Sequence, residues 1–115
     1  MRTETRPIGN VLVVRLSGEL DLNTAPEFRA AVEEELDARP DINAIFLVLS
    51  DVTFIDSSGL GVILGRYKRL RAHGGRLIAV APSPQVRKVF DLSGLASIIP
   101  VRETEDEGWA LASGV

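Results

Sequence analysis

The uninterrupted apolar run Ala44-Ile45-Phe46-Leu47-Val48-Leu49 is the feature that most restricts how this chain folds. A membrane helix needs roughly 20 apolar residues, so a run this short cannot span a bilayer. Its length and lack of polar alternation suit a strand covered on both faces by helices. Val11-Leu12-Val13-Val14-Arg15-Leu16, rich in β-branched residues, reads as another strand and stops at Ser17-Gly18. Leu77–Val80 and Ile98-Ile99-Pro100-Val101 are shorter strand candidates, and the proline sets the last one at an edge. A strand before Ile8-Gly9-Asn10 can pair with residues 11–16 as a hairpin, with Gly9 in the turn.

Helical patterns lie between these strands. Thr24-Ala25-Pro26-Glu27 has the form of a capping box opening a helix that runs to about Ala38 and buries Phe28, Val32 and Leu36. A second helix begins near Ser57 or Ser58 and ends at Gly74-Gly75. Ser83-Pro84 opens a short third helix, closed by Ser93-Gly94, and Thr104-Glu105-Asp106-Glu107 opens a fourth. The alternation predicts one layered α/β domain over residues 1–115, with a four- to five-stranded, mostly parallel sheet and about four helices.

Composition removes several chemistries. With no Cys and one His, His73, the chain has no disulfide, no thiolate nucleophile and no ligand set for a Cys- or His-rich metal centre. A net charge of −3 and a pI near 5.1 argue against a general nucleic-acid binder. The basic residues Arg66, Lys68, Arg69, Arg71 and Arg76 read as a solvated helix flank, and Glu33-Glu34-Glu35 as another. The polar start Met1–Pro7 lacks the apolar stretch of a signal peptide. A soluble, cytoplasmic protein without membrane contact is the expectation.

In open α/β sheets, binding surfaces gather beyond the carboxyl ends of the strands. Two segments there are chemically unusual, Gly18–Asn23 and Asp51–Gly59. Asp56, Ser57 and Ser58 can each cap the second helix, and capping alone is a sufficient reason for them. The helix itself is stranger. Leu60, Ile63, Leu64, Tyr67 and Leu70 form its core stripe at 100° per residue. Ser58, Gly61, Val62, Gly65 and Arg69 fall opposite. Exposed helical glycines cost about 1 kcal/mol each relative to Ala, so Gly61 and Gly65 imply either tight packing within the chain or close docking of another protein.

Enzyme chemistry fits poorly. His73 lies fifteen residues beyond Ser58 on the same helix, roughly 22 Å along its axis, too far to serve as a base. Gly59-x-Gly61-x-x-x-Gly65 misses the dinucleotide fingerprint, and no P-loop motif occurs. No catalytic residue, metal or cofactor is expected.

The run Phe54-Ile55-Asp56-Ser57-Ser58-Gly59-Leu60-Gly61-Val62-Ile63-Leu64-Gly65 resembles the signature of the STAS-domain anti-sigma factor antagonists, the sporulation branch above all. Leu16–Asp21 and Val89–Leu95 resemble that family's first and last motifs, so the likeness covers nearly the whole chain. It implies a partner that is both anti-sigma factor and serine kinase, phosphorylation at Ser57 that ends binding, and a phosphatase that resets the chain. Asp21, Asn23, Asp56, Ser58, Gly59, Gly61, Val62 and Gly65 would then line the partner surface, with Asp21 meeting a basic residue. Asp21-Leu22-Asn23 departs from the more polar residues that relatives often carry after the Asp. The alternatives are an unphosphorylated STAS scaffold, with Ser57 a cap only, and a small nucleotide-binding module.

Overall fold

A computed structural model describes residues 1–113; Gly114 and Val115, the end of the expected 1–115 domain, lie outside the described residues. Its elements are β1 (Arg2–Ile8), β2 (Val11–Leu20), α1 (Ala25–Ala38), β3 (Ala44–Ile55), α2 (Ser57–Arg71), β4 (Arg76–Val80), α3 (Pro84–Ser93), a 3-10 turn (Leu95–Ser97), β5 (Val101–Arg102) and α4 (Glu105–Ala112). The sheet runs β1-β2-β3-β4-β5, with β1 antiparallel to β2 and the other neighbours parallel. Gly9 takes φ +60 in the β1–β2 turn, a conformation that costs glycine little.

The apolar run of β3 is buried on both faces, but the two faces are served unequally. Leu12, Val14, Ile45, Leu47 and Leu77 point into the layer formed by α1, α2 and α3, where Phe28, Val32, Ile63, Val86 and Phe90 meet them. Val11, Val13, Phe46, Val48, Ile78 and Val80 point the other way and, among the described residues, the helix that meets them is α4, through Ala112 and Leu111. Trp109 sets its ring edge-on to Phe46 at 5.7 Å between centroids. Gly108 lets α4 approach closely, since a Cβ there would stand 2.6 Å from Val80.

Four expectations need correction. The segments 17–20 and 50–55 are strand rather than loop, because the β2–β3 ladder continues past two register shifts to Leu20↔Ile55. The strand expected over Ile98–Val101 shrinks to Val101–Arg102: left-handed Gly94 (φ +81) leads into the 3-10 turn, and Pro100 contributes only a carbonyl, to the Ala79 N–H at 2.9 Å. The Thr24 capping box does not form. The Thr24 hydroxyl instead donates to the Glu19 carbonyl (2.8 Å) and accepts from the Asp21 N–H (2.9 Å), and Asp21 begins the turn into α1. Nor is the basic flank wholly solvated. Arg66 is buried between α1 and α2 beside Glu33 (3.4 Å), which also pairs with Arg69.

Candidate functional site

The carboxyl ends of β2 and β3 lie side by side and deliver two turns to one corner of the molecule. At the first, the Asp21 carboxylate accepts from the N–H groups of Asn23 (2.9 Å) and Thr24 (3.1 Å). At the second, Asp56 adopts an extended backbone and caps α2, its Oδ1 accepting from the Gly59 N–H at 3.0 Å. Its Oδ2 accepts from the Leu22 N–H at 3.2 Å, and its own N–H donates to the Leu20 carbonyl at 3.3 Å. Asp56 therefore ties the two turns together. Both of its oxygens are engaged within the chain.

With Asp56 as cap, Ser57 is the first residue of α2 and is exposed, whereas Ser58 is half-buried. Among the described residues neither hydroxyl takes part in a hydrogen bond. The helix dipole places partial positive charge at this end. A phosphoryl group carries about −1.5 to −2 charges and would find a favourable field there.

The buried stripe of α2 is Gly59, Ile63, Arg66 and Leu70, rotated from the one expected. Leu60, Leu64 and Tyr67 are only partly buried. Gly59 leaves the expected partner surface altogether. It is buried, and a Cβ there would stand 2.5 Å from the Leu20 carbonyl oxygen and 2.8 Å from Ile55 Cγ1. Val62 is half-buried and rests against the core, so it offers only part of its surface outward. A Cβ at Gly61 or Gly65 would meet nothing within 4 Å, which removes tight internal packing as the reason for either glycine.

Two apolar side chains not among the expected site residues stand exposed near this corner. Leu22 is 71% exposed, with its N–H on Asp56, and Phe54 is 49% exposed just before Asp56. The sequence signal was available: an apolar residue between Asp21 and Asn23 in an otherwise polar turn. Among the described residues no cluster of acidic or His side chains could hold a metal, and no helix is long and apolar enough to cross a membrane.

The STAS domain model matches residues 2–108. The chain belongs to the STAS domain family. This STAS chain is 44% identical over 95 residues to an anti-sigma F factor antagonist of Paenibacillus polymyxa, covering 83% of this chain and 80% of that protein. Its fold superposes on the anti-sigma factor antagonist SpoIIAA in its unphosphorylated form with a TM-score of 0.84 at 34% identity, covering 99% of this chain and 98% of the other. The phosphorylated form of the Bacillus cell fate determinant SpoIIAA superposes at 0.72, again at 34% identity, over 92% and 95% of the two chains. The expected layered α/β fold, with a five-stranded mostly parallel sheet and four helices, is borne out. The relatives named as anti-sigma factor antagonists are regulatory proteins.

Proposed function

We propose that this STAS chain is an anti-sigma factor antagonist whose docking is governed by the hydroxyl of Ser57. In the unmodified state the corner formed by Asp21, Asn23, Ser57, Ser58, Gly61, Val62 and Gly65 docks on an anti-sigma factor that is also a serine kinase, and a sigma factor is released. Phosphorylation of Ser57 by that partner ends docking, and a phosphatase restores it. The carrying observation is the exposed, unbonded Ser57 at the tip of α2, beside a helix face left bare at Gly61 and Gly65. Exposure favours Ser57 over its half-buried neighbour Ser58 as the acceptor. Leu22 and Phe54 add exposed apolar surface to this corner, which docking would remove from water.

The partner would supply nucleotide, magnesium and base, and this chain only the acceptor oxygen. The transferred dianion then sits where a close-packed interface must form, so that charge and bulk both oppose redocking.

Incubation with the cognate anti-sigma factor and Mg-ATP, followed by peptide mass mapping, tests the reading. A single phosphate on Ser57 is expected. Ser57→Ala should dock but resist release, and Ser57→Asp should dock at least about tenfold more weakly. Equal affinity of the two variants, or phosphate on Ser58 with Ser57 unmodified, overturns it.

A further inference from the structure

Strand β1 is the outer edge of the sheet, paired with β2 on one side and, among the described residues, with no strand on the other. The two-residue turn Gly9-Asn10 closes on the pair Ile8↔Val11, and hydrogen-bonding direction alternates along the strand from that pair. Arg2, Glu4, Arg6 and Ile8 therefore turn their backbone groups toward β2. Thr3, Thr5 and Pro7 turn theirs outward. Side chains alternate too: Arg2, Glu4, Arg6 and Ile8 are exposed, whereas Thr5 donates to Glu35 of α1 at 3.4 Å. The exposed face of β1 is not roofed. Helix α4 lies over β3, β4 and β5 and leaves a groove of about 530 Å³ between itself and β1, floored by Val13 and Phe46 and walled on the α4 side by Trp109.

We propose that a second copy of this chain pairs here, β1 against β1, in an antiparallel register centred on Thr5. The charge order Arg2-x-Glu4-x-Arg6 selects both partner and register. Only the outward residues can exchange hydrogen bonds, so a two-fold pairing with useful overlap centres on Thr3, Glu4, Thr5 or Arg6, and centring on Arg6 opposes two arginines. Centring on Glu4 opposes Glu4 to Glu4 and Arg2 to Arg6, which like-charge repulsion disfavours. Centring on Thr5 places Glu4 opposite the partner's Arg6, and the reverse, in non-hydrogen-bonded pairs. Cα atoms there approach to about 4.5 Å and side chains come closest.

Arg6 is the free cation of the strand. Arg2 already meets Glu4 at 2.6 Å, whereas among the described residues Arg6 has no carboxylate within ion-pair distance. That favours Thr5 as the centre over Thr3, which would rely on Arg2 and overlap fewer residues.

Two Thr5–Thr5 bonds form in this register, and each Thr3 N–H reaches a Pro7 carbonyl. The missing Pro7 N–H forfeits the two reciprocal bonds. Edge prolines and charges normally guard a sheet against foreign strands, and here they leave a weak, reversible dimer as the allowed pairing. β3, which leads into Ser57, lies two strands from the edge, about 10 Å, so self-pairing leaves the α2 corner free.

Sedimentation equilibrium of the whole chain at concentrations up to about 1 mM, with hydrogen exchange read at the Thr3 and Thr5 amides, tests the proposal. The mass should rise reversibly from 12.5 kDa toward twice that value, with both amides becoming protected as it rises. Glu4→Arg and Arg6→Glu should each weaken association at least about tenfold, and the combined charge swap should restore it. Circular dichroism confirms that these exposed substitutions leave the fold intact. A chain that stays monomeric throughout, species larger than a dimer, a dimer with unprotected Thr5 amides, or a charge swap that fails to recover association each overturns the proposal.

Discussion

Three glycines of α2 carry opposite signs of stability, and alanine substitution separates them. A Cβ at Gly59 would stand 2.5 Å from the Leu20 carbonyl oxygen and 3.0 Å from Leu20 Cγ. That oxygen belongs to a paired strand and accepts the Asp56 N–H at 3.3 Å, so it cannot yield without loosening the helix start. Overpacking of this kind costs about 1–3 kcal/mol, more where backbone is the obstacle. The gain in helix propensity returns about 1 kcal/mol, leaving Gly59→Ala about 2 kcal/mol less stable. At Gly61 and Gly65 a Cβ meets nothing within 4 Å, so propensity acts alone and each alanine adds roughly 0.5–1 kcal/mol. Roughly 4 °C per kcal/mol is expected for a chain of this length. Calorimetry should therefore show Gly59→Ala melting about 8 °C lower and each of the other two about 2–4 °C higher. If Gly61 and Gly65 are kept bare for docking, the stabilised variants should bind the anti-sigma factor more weakly. A neutral Gly59→Ala, or a Gly61→Ala as damaging as Gly59→Ala, refutes the packing argument.

Arg66→Met should be neutral or stabilising by about 1 kcal/mol, because burial lowers the Arg66 pKa and its Nε and Nη1 have no partner among the described residues. Glu33→Ala should cost about 3 kcal/mol by leaving that buried charge unpaired, and urea unfolding of the two variants distinguishes the signs. Asp56→Ala removes both the α2 cap and the tie to Leu22, for a loss of roughly 1–2 kcal/mol by the same assay. Arg15 holds Glu105 through two hydrogen bonds, at 2.6 and 3.1 Å, and keeps the Glu105 pKa below its ordinary 4.5. That contribution is therefore present above about pH 4.5 and fades as pH falls through the lowered value. Both side chains are about half exposed, so Glu105→Gln should flatten the acid limb of a stability–pH curve by well under 1 kcal/mol.

The legible parts of the fold were local. Ser83 accepts from the Val86 N–H at 3.4 Å and Thr104 from the Glu107 N–H at 3.2 Å, both within one helical turn, so a four-residue motif suffices to place those helix starts. Gly94 ends α3 in a left-handed conformation, again within the motif itself. The misread parts depend on distant chain. Ser17-Gly18 has the composition of a turn, yet the parallel ladder to Asp51 and Val52 keeps it in β2. Thr24 carries a capping signature, but Asp21 takes over the turn from three residues upstream. The rotation of α2 arises likewise. Gly59 offers no side chain to count and Arg66 counts as polar, although Leu20 and Glu33 on other elements make both inward positions. At the candidate site, Ser57 and Asp56 were legible because a helix start announces itself. Leu22 was signalled only by its polar neighbours, and Phe54 was not legible, because exposure of an apolar side chain depends on what the rest of the chain leaves uncovered.

The division of labour at the head of α2 is what would let a modification act there without unfolding the chain. The turn and cap bonds at the helix start run through Asp56: its carboxylate accepts from the Gly59 and Leu22 N–H groups, its carbonyl accepts from the Leu60 N–H at 3.0 Å, and its own N–H donates to Leu20. Ser57 contributes none of them, so esterifying its hydroxyl breaks nothing inside the molecule. A dianion next to a carboxylate is repelled by roughly 1–2 kcal/mol in water, and the helix N-terminus returns about 0.3–1 kcal/mol to an anion. The two partly offset each other. At an interface the balance differs, because docking strips water from the phosphate, and an ion buried without a matched partner costs several kcal/mol. A site that costs folding little can thus be decisive toward binding, provided the hydroxyl stays outside the hydrogen-bond network that its neighbour holds.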